Sequence, residues 1–205
     1  MIRVGISGWT YQPWRGTFYP AGLPVRRQLA YVAERMTSVE VNGSFYGLLR
    51  PSSYARWMEE VDPVTGADFV FAVKGSRFIT HMRKLVEPTT ALANFYASGV
   101  LALGTRTGPF LWQLPATFRF DEAKIAAFLE ALPRTAAEAA VLAAQHDARV
   151  AGDRALVTTT VPDLPLRHAF EVRHDSFRDP AFTALLRHHD VALVLSDNPG
   201  TWPVF

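Results

Sequence analysis

The chain has 205 residues, of which 49% are hydrophobic and 20% are charged, the balance of a soluble globular domain. Its net charge of +2 is too small to indicate a nucleic-acid-binding surface by itself. The lack of cysteine excludes disulfides and thiolate metal sites, and no apolar run is long enough to span a membrane. The first residues have no basic and apolar leader, so we expect a soluble cytoplasmic protein with one domain over residues 1–205.

The first part of the chain alternates predicted strands with predicted helices. Short apolar strands are expected at Arg3–Ser7, Val39–Asn42 and Phe69–Lys74, and each ends in polar side chains. Apolar residues recur at helical spacing over Arg26–Met36, and a second helix follows the Ser52–Ser53 pair, which is suited to cap it. This alternation is typical of repeated strand–helix units.

The same alternation continues through the middle of the chain. Thr80-His81 is expected to open a loop, and a helix is predicted from Thr90 to Leu103. Phe110–Leu114 is the fourth predicted strand, and Asp121 is placed to cap a helix that runs through Leu132. The order of elements therefore stays the same.

The last part of the chain adds an interruption and two more strands. Residues 134–165 are predicted to be a largely helical elaboration, in which Leu156–Val161 is suited to an added strand. The fifth main strand is expected at His168–Arg173, followed by a helix over Asp179–His189 and a sixth strand at Val191–Ser196.

Strands alternating with amphipathic helices predict a parallel sheet, either open and doubly wound or closed into a (β/α) barrel. After the first strand, Gly5–Gly8 lacks the glycine spacing of a dinucleotide-binding turn. Polar residues at the carboxyl ends of nearly all strands suit a barrel, whose loops converge on one site at that face. The barrel is the favoured architecture.

A series of short motifs resembles a known family. The motifs are Ser7–Tyr11, Trp14–Gly16, Phe18–Pro20, Val39–Asn42, Phe45-Tyr46, Phe71–Lys74, Thr80-His81, Gln113–Pro115 and Glu171–His174. In these motifs, and over the chain from Ile2 to about Pro203, the sequence is similar to the domain of unknown function 72 family, the YecE-like proteins. The resemblance implies a TIM-type (β/α) barrel and names no reaction.

The resemblance also predicts that the barrel is incomplete at the carboxyl terminus. Family members usually continue with an Arg-Leu-His-Gly-like segment and an aromatic-Asn-Asn segment, and this sequence contains neither. Six main strands are visible, whereas a closed barrel of this type has about eight. We therefore expect a shortened chain, or an edge at the sixth strand that another segment or a second subunit covers, so that an oligomer is possible.

The polar residues at the strand ends and in the loops that follow form the candidate site. We predict that four of them are catalytic, namely Lys74, His81, Glu40 and Glu171. Eight more are predicted to bind substrate, namely Ser7, Trp9, Tyr11, Asn42, Tyr46, Gln113, Arg173 and Asp197. The alternative is a purely structural network in which one lysine and one arginine neutralise two carboxylates.

Several roles are open for these side chains. Lys74 is suited to be a general base, a Schiff-base nucleophile or a fixed cation, and neighbouring carboxylates favour the fixed cation because they keep it charged. His81 either transfers protons near neutral pH or tethers its loop by a hydrogen bond. Arg173 either binds an anion or pairs with Glu171. Aromatic side chains such as Trp9 either stack on a ligand or pack on one another.

The resulting hypothesis is an enzyme that acts on a small polar, anionic or phosphorylated substrate at the carboxyl ends of the strands. One alternative is a metal-dependent phosphodiester hydrolase or isomerase, with ligands drawn from Glu40, His81, Glu171 and Asp197. We predict no cofactor and no divalent ion, because two cations lie among those ligands. A second alternative is a non-catalytic nucleic-acid or partner-binding module that uses the basic residues Arg15, Arg26, Arg27, Arg77, Arg83 and Lys84.

Overall fold

The sheet consists of six parallel strands in the order β1-β2-β3-β4-β5-β6. A computed structural model describes residues 2–66, 68–197, 202–203 and 205. The strands are β1 (Gly5–Ser7), β2 (Ser38–Val41), β3 (Val70–Lys74), β4 (Thr107–Gln113), β5 (His168–Glu171) and β6 (Ala192–Leu193). Each strand pairs with the next one along the chain, as the alternation of strands and helices predicted.

Helices connect these strands. The α-helices are α1 (Gln28–Ala33), α2 (Gly43–Tyr46), α3 (Pro51–Val61), α4 (Thr89–Ala97), α5 (Glu122–Glu130), α6 (Ala136–Ala143) and α7 (Pro180–His188). A π-helical turn covers Phe78–Met82, and a 3₁₀ segment covers Val100–Arg106. The predicted cap of α5 is confirmed, since the Asp121 side chain accepts a hydrogen bond from the backbone N–H of Lys124.

Three predicted helix boundaries are wrong. The helix expected over Arg26–Met36 is an α-helix only at Gln28–Ala33, after a 3₁₀ turn. Arg50, and not a serine, precedes the first turn of α3, whose first residue is proline, a residue favoured at that position because it needs no hydrogen bond there. The helix expected to reach Leu103 ends at Ala97, because Gly99 takes up a left-handed conformation with φ of 112°.

The sheet is open. Within the described ranges β1 pairs only with β2, and β6 pairs only with β5, so the first and last strands do not close a ring. The strand predicted at Val191–Ser196 is limited to Ala192–Leu193, with one further bond from Val194 N to Phe170 O. Val4 before β1 and Leu195 after β6 have 62% and 70% of their surface exposed. The open edges agree with the expected incomplete sheet, and a TIM-type barrel stays a prediction.

The elaboration over residues 134–165 is only partly helical. It contains α6, whose Ala136, Ala139 and Ala143 are buried in the core. The strand predicted at Leu156–Val161 is wrong, because its backbone bonds go elsewhere: Leu156 N donates to Ala97 O, and Val161 N donates to the side chain of Thr159. In this segment the hydrogen bonds made by individual residues outweigh the preference of the sequence for a β-strand.

The core joins the sheet to its helices through large aromatic side chains. Trp112 of β4 is fully buried and lies edge-on to Phe128 of α5, with 5.2 Å between ring centroids. Phe128 also contacts Phe170 of β5. The helix-facing side of these central strands is therefore covered by α5. Among the described residues no helix has the length and apolar character needed to cross a membrane.

Candidate functional site at the carboxyl edge of the sheet

The register of the parallel strands places the predicted site residues at one edge of the sheet, which we call the carboxyl edge. Ser7, the last residue of β1, lies opposite Glu40, and Gln113, the last residue of β4, lies opposite Glu171. Lys74 is the last residue of β3. Because parallel strands end on the same side, their terminal side chains face a common region.

The first group of polar side chains is centred on Ser7. Its hydroxyl donates to Oε1 of Glu40 at 2.8 Å and accepts from Nδ2 of Asn42 at 2.9 Å. Its carbonyl oxygen accepts from the hydroxyl of Tyr11 at 2.6 Å. Glu40 and Asn42 therefore share one face of the strand end, as their alternation predicted. Glu40 makes no ion pair within the described part of the chain, so the predicted network in which cations neutralise both carboxylates does not include it.

A cavity of about 270 Å³ adjoins this first group. Trp9, Tyr11 and Asn42 line it together with Trp57, whose ring lies edge-on to that of Trp9 at 5.1 Å. Trp9 and Tyr11 pack on the neighbouring rings of Trp57 and Trp14, which is one of the two roles considered for them, and they also border open space. Their role in binding substrate stays a prediction.

The second group is centred on Glu171, which is buried. Its Oε2 accepts from Nε2 of Gln113 at 2.7 Å, and its Oε1 accepts from Nε of Arg173 at 2.9 Å and pairs with Nη2 at 2.8 Å. The Arg173 guanidinium also lies 4.1 Å from the centroid of the Trp202 ring. Arg173 is therefore held on two sides, by a carboxylate and by an aromatic face, in a fixed orientation.

Lys74 lies between the two groups without a carboxylate partner. Its backbone carbonyl is 2.7 Å from the hydroxyl of the buried Ser44, which ties the end of β3 to the start of α2. Its Nζ is 5.1 Å from the centroid of the Phe45 ring and forms no hydrogen bond or ion pair with any described residue. The charge of this partly buried lysine is thus available to a ligand.

His81 is in the π-helical turn Phe78–Met82, so the prediction that Thr80-His81 opens a loop is wrong. A π-turn widens the helix by one residue and is frequent at functional sites. The His81 ring lies edge-on to Phe45 at 5.2 Å, and its Nδ1 is 2.9 Å from Oγ1 of Thr80. The Thr80 hydroxyl donates to the carbonyl of Ser76. When it does so, it can only accept from Nδ1–H of His81, and Nε2 keeps its lone pair.

The surroundings of His81 lower its pKa below the usual value of 6.5. Burial is the largest cause, followed by the positive charges of Arg173, Lys74 and Arg77, whereas Glu171 acts in the opposite direction. This pattern shows that charged side chains from two strand ends, those of β3 and β5, act on one imidazole. A lowered pKa means that His81 is neutral at neutral pH.

Two predicted site residues lie apart from these groups. Tyr46 is 69% exposed and lies edge-on to Phe45, with its ring centroid 5.8 Å from the Arg77 guanidinium. Asp197 is exposed and makes no hydrogen bond or ion pair with another described residue. In the described ranges no three His, Asp or Glu side chains are arranged to hold a metal ion, so the ligand set proposed for a divalent ion is not assembled.

Sequence reasoning did not assign three side chains of the site to it. Ser44 and Thr80 hold Lys74 and His81 in place. Thr80 is part of the Thr80-His81 motif, and Ser44 directly precedes the Phe45-Tyr46 motif, so their position beside these motifs is the signal that could have found them. Trp202 lies almost thirty positions after Arg173 and carries no local pattern that would place it on that guanidinium.

Two solved structures share this fold. A DUF72 family protein from Thermotoga maritima matches with a TM-score of 0.68 and 24% identity, over 100% of this chain and 69% of that chain. A DUF72 family protein from Enterococcus faecalis matches with a TM-score of 0.62 and 18% identity, over 100% of this chain and 65% of that one. Because both identities are below 25%, these likenesses concern the fold alone.

The sequence itself matches a family model over nearly its whole length. The model, described as a protein of unknown function, DUF72, covers residues 3–204. No curated protein matches the chain. The ordered motifs, the parallel sheet and the family model agree, and the chain belongs to the DUF72 family.

Proposed function

We propose that the carboxyl edge binds a small anionic substrate and that His81 accepts a proton from it or from an activated water molecule. The observation that carries this proposal is the Lys74 side chain, which has no ion-pair partner in the described part of the chain and lies beside a neutral imidazole. A lysine that is partly buried without a counter-charge is favourable when an anion occupies the space in front of it. The substrate class, a small polar and phosphorylated or carboxylated compound, follows from this charge.

The other side chains have complementary roles in this proposal. Gln113 holds the Glu171 carboxylate by a hydrogen bond, and that carboxylate holds Arg173. The remaining N–H groups of Arg173 can contact the same anion. Ser7, Asn42 and Glu40 offer a donor and acceptor set for the polar part of the substrate. A TIM-type barrel, in which further strands complete the ring, would enclose this edge and raise the strength of each charge contact.

The charges around His81 supply the test. Three cations lower the pKa of His81, so an anion bound among them must raise that pKa toward its ordinary value. We expect inorganic phosphate to bind and to move the titration midpoint of the His81 ring protons upward in an NMR titration.

Lys74→Gln is expected to weaken phosphate binding about tenfold, since a charge-assisted contact of this kind contributes about 1.5 kcal/mol or more. Lys124→Gln is the matched control, because that lysine also lies near an aromatic ring, 5.8 Å from Phe118, but at a different place in the fold. Equal affinity for phosphate in all three proteins, with an unchanged His81 titration, would refute the anion site.

A further inference from the structure

A second cavity adjoins the carboxyl edge beyond Tyr46. It has a volume of about 250 Å³ and lies between the turn after α2, the π-helical turn and α4. Its lining includes Leu48, Arg77, Phe78, Ile79, Ala91 and Asn94. Tyr46 also lines it, and is the one predicted site residue that does so.

The walls of this cavity are largely apolar. Phe78, Ile79 and Leu48 form its inner part, while Tyr46 and Met82 lie at its rim with 69% and 65% of their surface exposed. These two exposed side chains add apolar surface beside the cavity, and a bound ligand would shield that surface from water. A sugar or another hydroxyl-rich group would find few acceptors on these walls.

The charges on the cavity are positive. Arg77 makes no ion pair in the part of the chain that the structure describes, and its guanidinium lies over the Tyr46 ring. Arg149 lies 5.7 Å from the Phe78 ring and is paired with Asp147, whose backbone N–H donates to Oδ1 of the buried Asn94. None of the described residues that line the cavity carries a carboxylate, so an anion is favoured near its Arg77 side.

The Phe45 ring and Arg77 connect the cavity to the proposed anion site beside Lys74 and His81. The Phe45 ring lies 5.1 Å from Lys74 Nζ, 5.2 Å from the His81 ring and 5.1 Å from the Tyr46 ring. Arg77 contributes both to the cavity wall and to the positive field on His81. The cavity and the cations around His81 therefore share Arg77 and lie on either side of the Phe45 ring, as neighbouring parts of one surface.

We propose that this cavity is a subsite for an aromatic ring of the substrate, so that the preferred ligand is an anionic compound carrying a one- or two-ring aromatic group. This inference rests on the proposed function, because it assumes that the anionic group binds beside Lys74. An apolar cavity of about 150 Å³ is enough to bind benzene, so about 250 Å³ accommodates a larger planar group. The rings of Tyr46 and Phe78 and the planar Arg77 guanidinium offer faces for stacking.

The test compares phenylphosphonate with methylphosphonate, which share the anionic group and differ in the ring. Calorimetric titration of the unmodified protein is expected to show at least tenfold tighter binding of phenylphosphonate, because the ring removes apolar area from water. Phosphonates are used because the carbon–phosphorus bond resists hydrolysis during the titration.

Ala91→Leu is the diagnostic variant, since it fills the cavity from α4 with a residue that favours helix nearly as well as alanine. It is expected to reduce the affinity ratio of the two ligands to about two or less while leaving methylphosphonate binding unchanged. Ala55→Leu, on the exposed side of α3, is the control and keeps the full ratio. Met82→Ser, at the exposed rim, gives a second variant that does not disturb the core and lowers the ratio partially.

The outcomes separate the two proposals. If methylphosphonate binds but the ring adds no affinity, or if the advantage of the ring survives Ala91→Leu, the aromatic subsite is refuted and the anion site stands. If neither phosphonate binds to the folded protein, the anion site fails, and the subsite fails with it.

Discussion

His168 makes the stability of the β4–β5 pair, which carries Gln113 and Glu171 at its end, depend on pH. The side chain is 1% exposed, and each ring nitrogen is engaged: Nδ1 is 3.2 Å from the indole N–H of Trp112, and Nε2 is 2.8 Å from the carbonyl oxygen of Pro133. The indole can only donate, so Nδ1 accepts and Nε2–H donates, which is the neutral tautomer. Protonation would point a second N–H at the indole N–H inside the core.

Burial therefore lowers the pKa of His168 from 6.5 to about 4, the hydrogen bond to Pro133 acting in the opposite direction. The unfolded chain binds a proton below pH 6.5, but the folded chain binds it only near pH 4. The stability that the neutral side chain contributes is complete above pH 6.5 and is lost as the pH falls through this window. Between pH 7.5 and 4.5 the loss is about 2 to 3 kcal/mol.

Urea unfolding at a series of pH values measures this effect. His168→Gln is expected to be less stable at pH 7.5 but to have a flatter pH dependence. Between pH 7.5 and 4.5 it should lose about 2 to 3 kcal/mol less stability than the unmodified protein. His188→Gln, an exposed histidine in the last turn of α7, is the control and keeps the steeper dependence. Parallel pH profiles of the unmodified protein and His168→Gln, or an NMR titration of His168 near pH 6.5, would contradict this reasoning.

Two further predictions concern the site and the fold. Glu171→Gln removes the one negative charge that raises the pKa of His81, so that pKa is expected to fall further; an unchanged NMR titration of His81 would show that the two side chains are not coupled. Gly99→Ala is expected to cost more than about 2 kcal/mol in urea unfolding, since its Cβ would overlap the first residue of α3 in addition to the strain of a positive φ. Gly22→Ala, at φ of 83° with open space around it, is the control and costs only the backbone strain, so equal losses would refute the steric argument.

Local patterns determined the main elements of this protein. Apolar runs of strand length that alternate with helical periodicity predicted six parallel strands in their order, because the periods of 2 and 3.6 residues are properties of the backbone alone. The cap at Asp121 was likewise predictable, since a single side chain and its own turn decide it. The polar ends of the strands predicted the edge at which the site residues meet.

Tertiary structure decided which of those residues touch. The sequence allowed Glu40 and Glu171 to pair with either cation. In the fold Arg173 pairs with Glu171 and Glu40 accepts from Ser7, while the Lys74 side chain has no ion-pair partner among the residues that the structure describes. Such choices depend on distances between side chains far apart in sequence, which no local pattern contains.

The same limit explains the wrong local predictions. Leu156–Val161 has strand character, but the backbone N–H of Leu156 donates to Ala97 and that of Val161 donates to Thr159. Thr80-His81 is helical because the Ser76 carbonyl accepts hydrogen bonds from both the backbone and the side chain of Thr80. The sequence by itself determined the periodic elements and the edge where they end. The three-dimensional packing decided their partners, since burial and long-range hydrogen bonds outweigh local propensities of a few tenths of a kcal/mol.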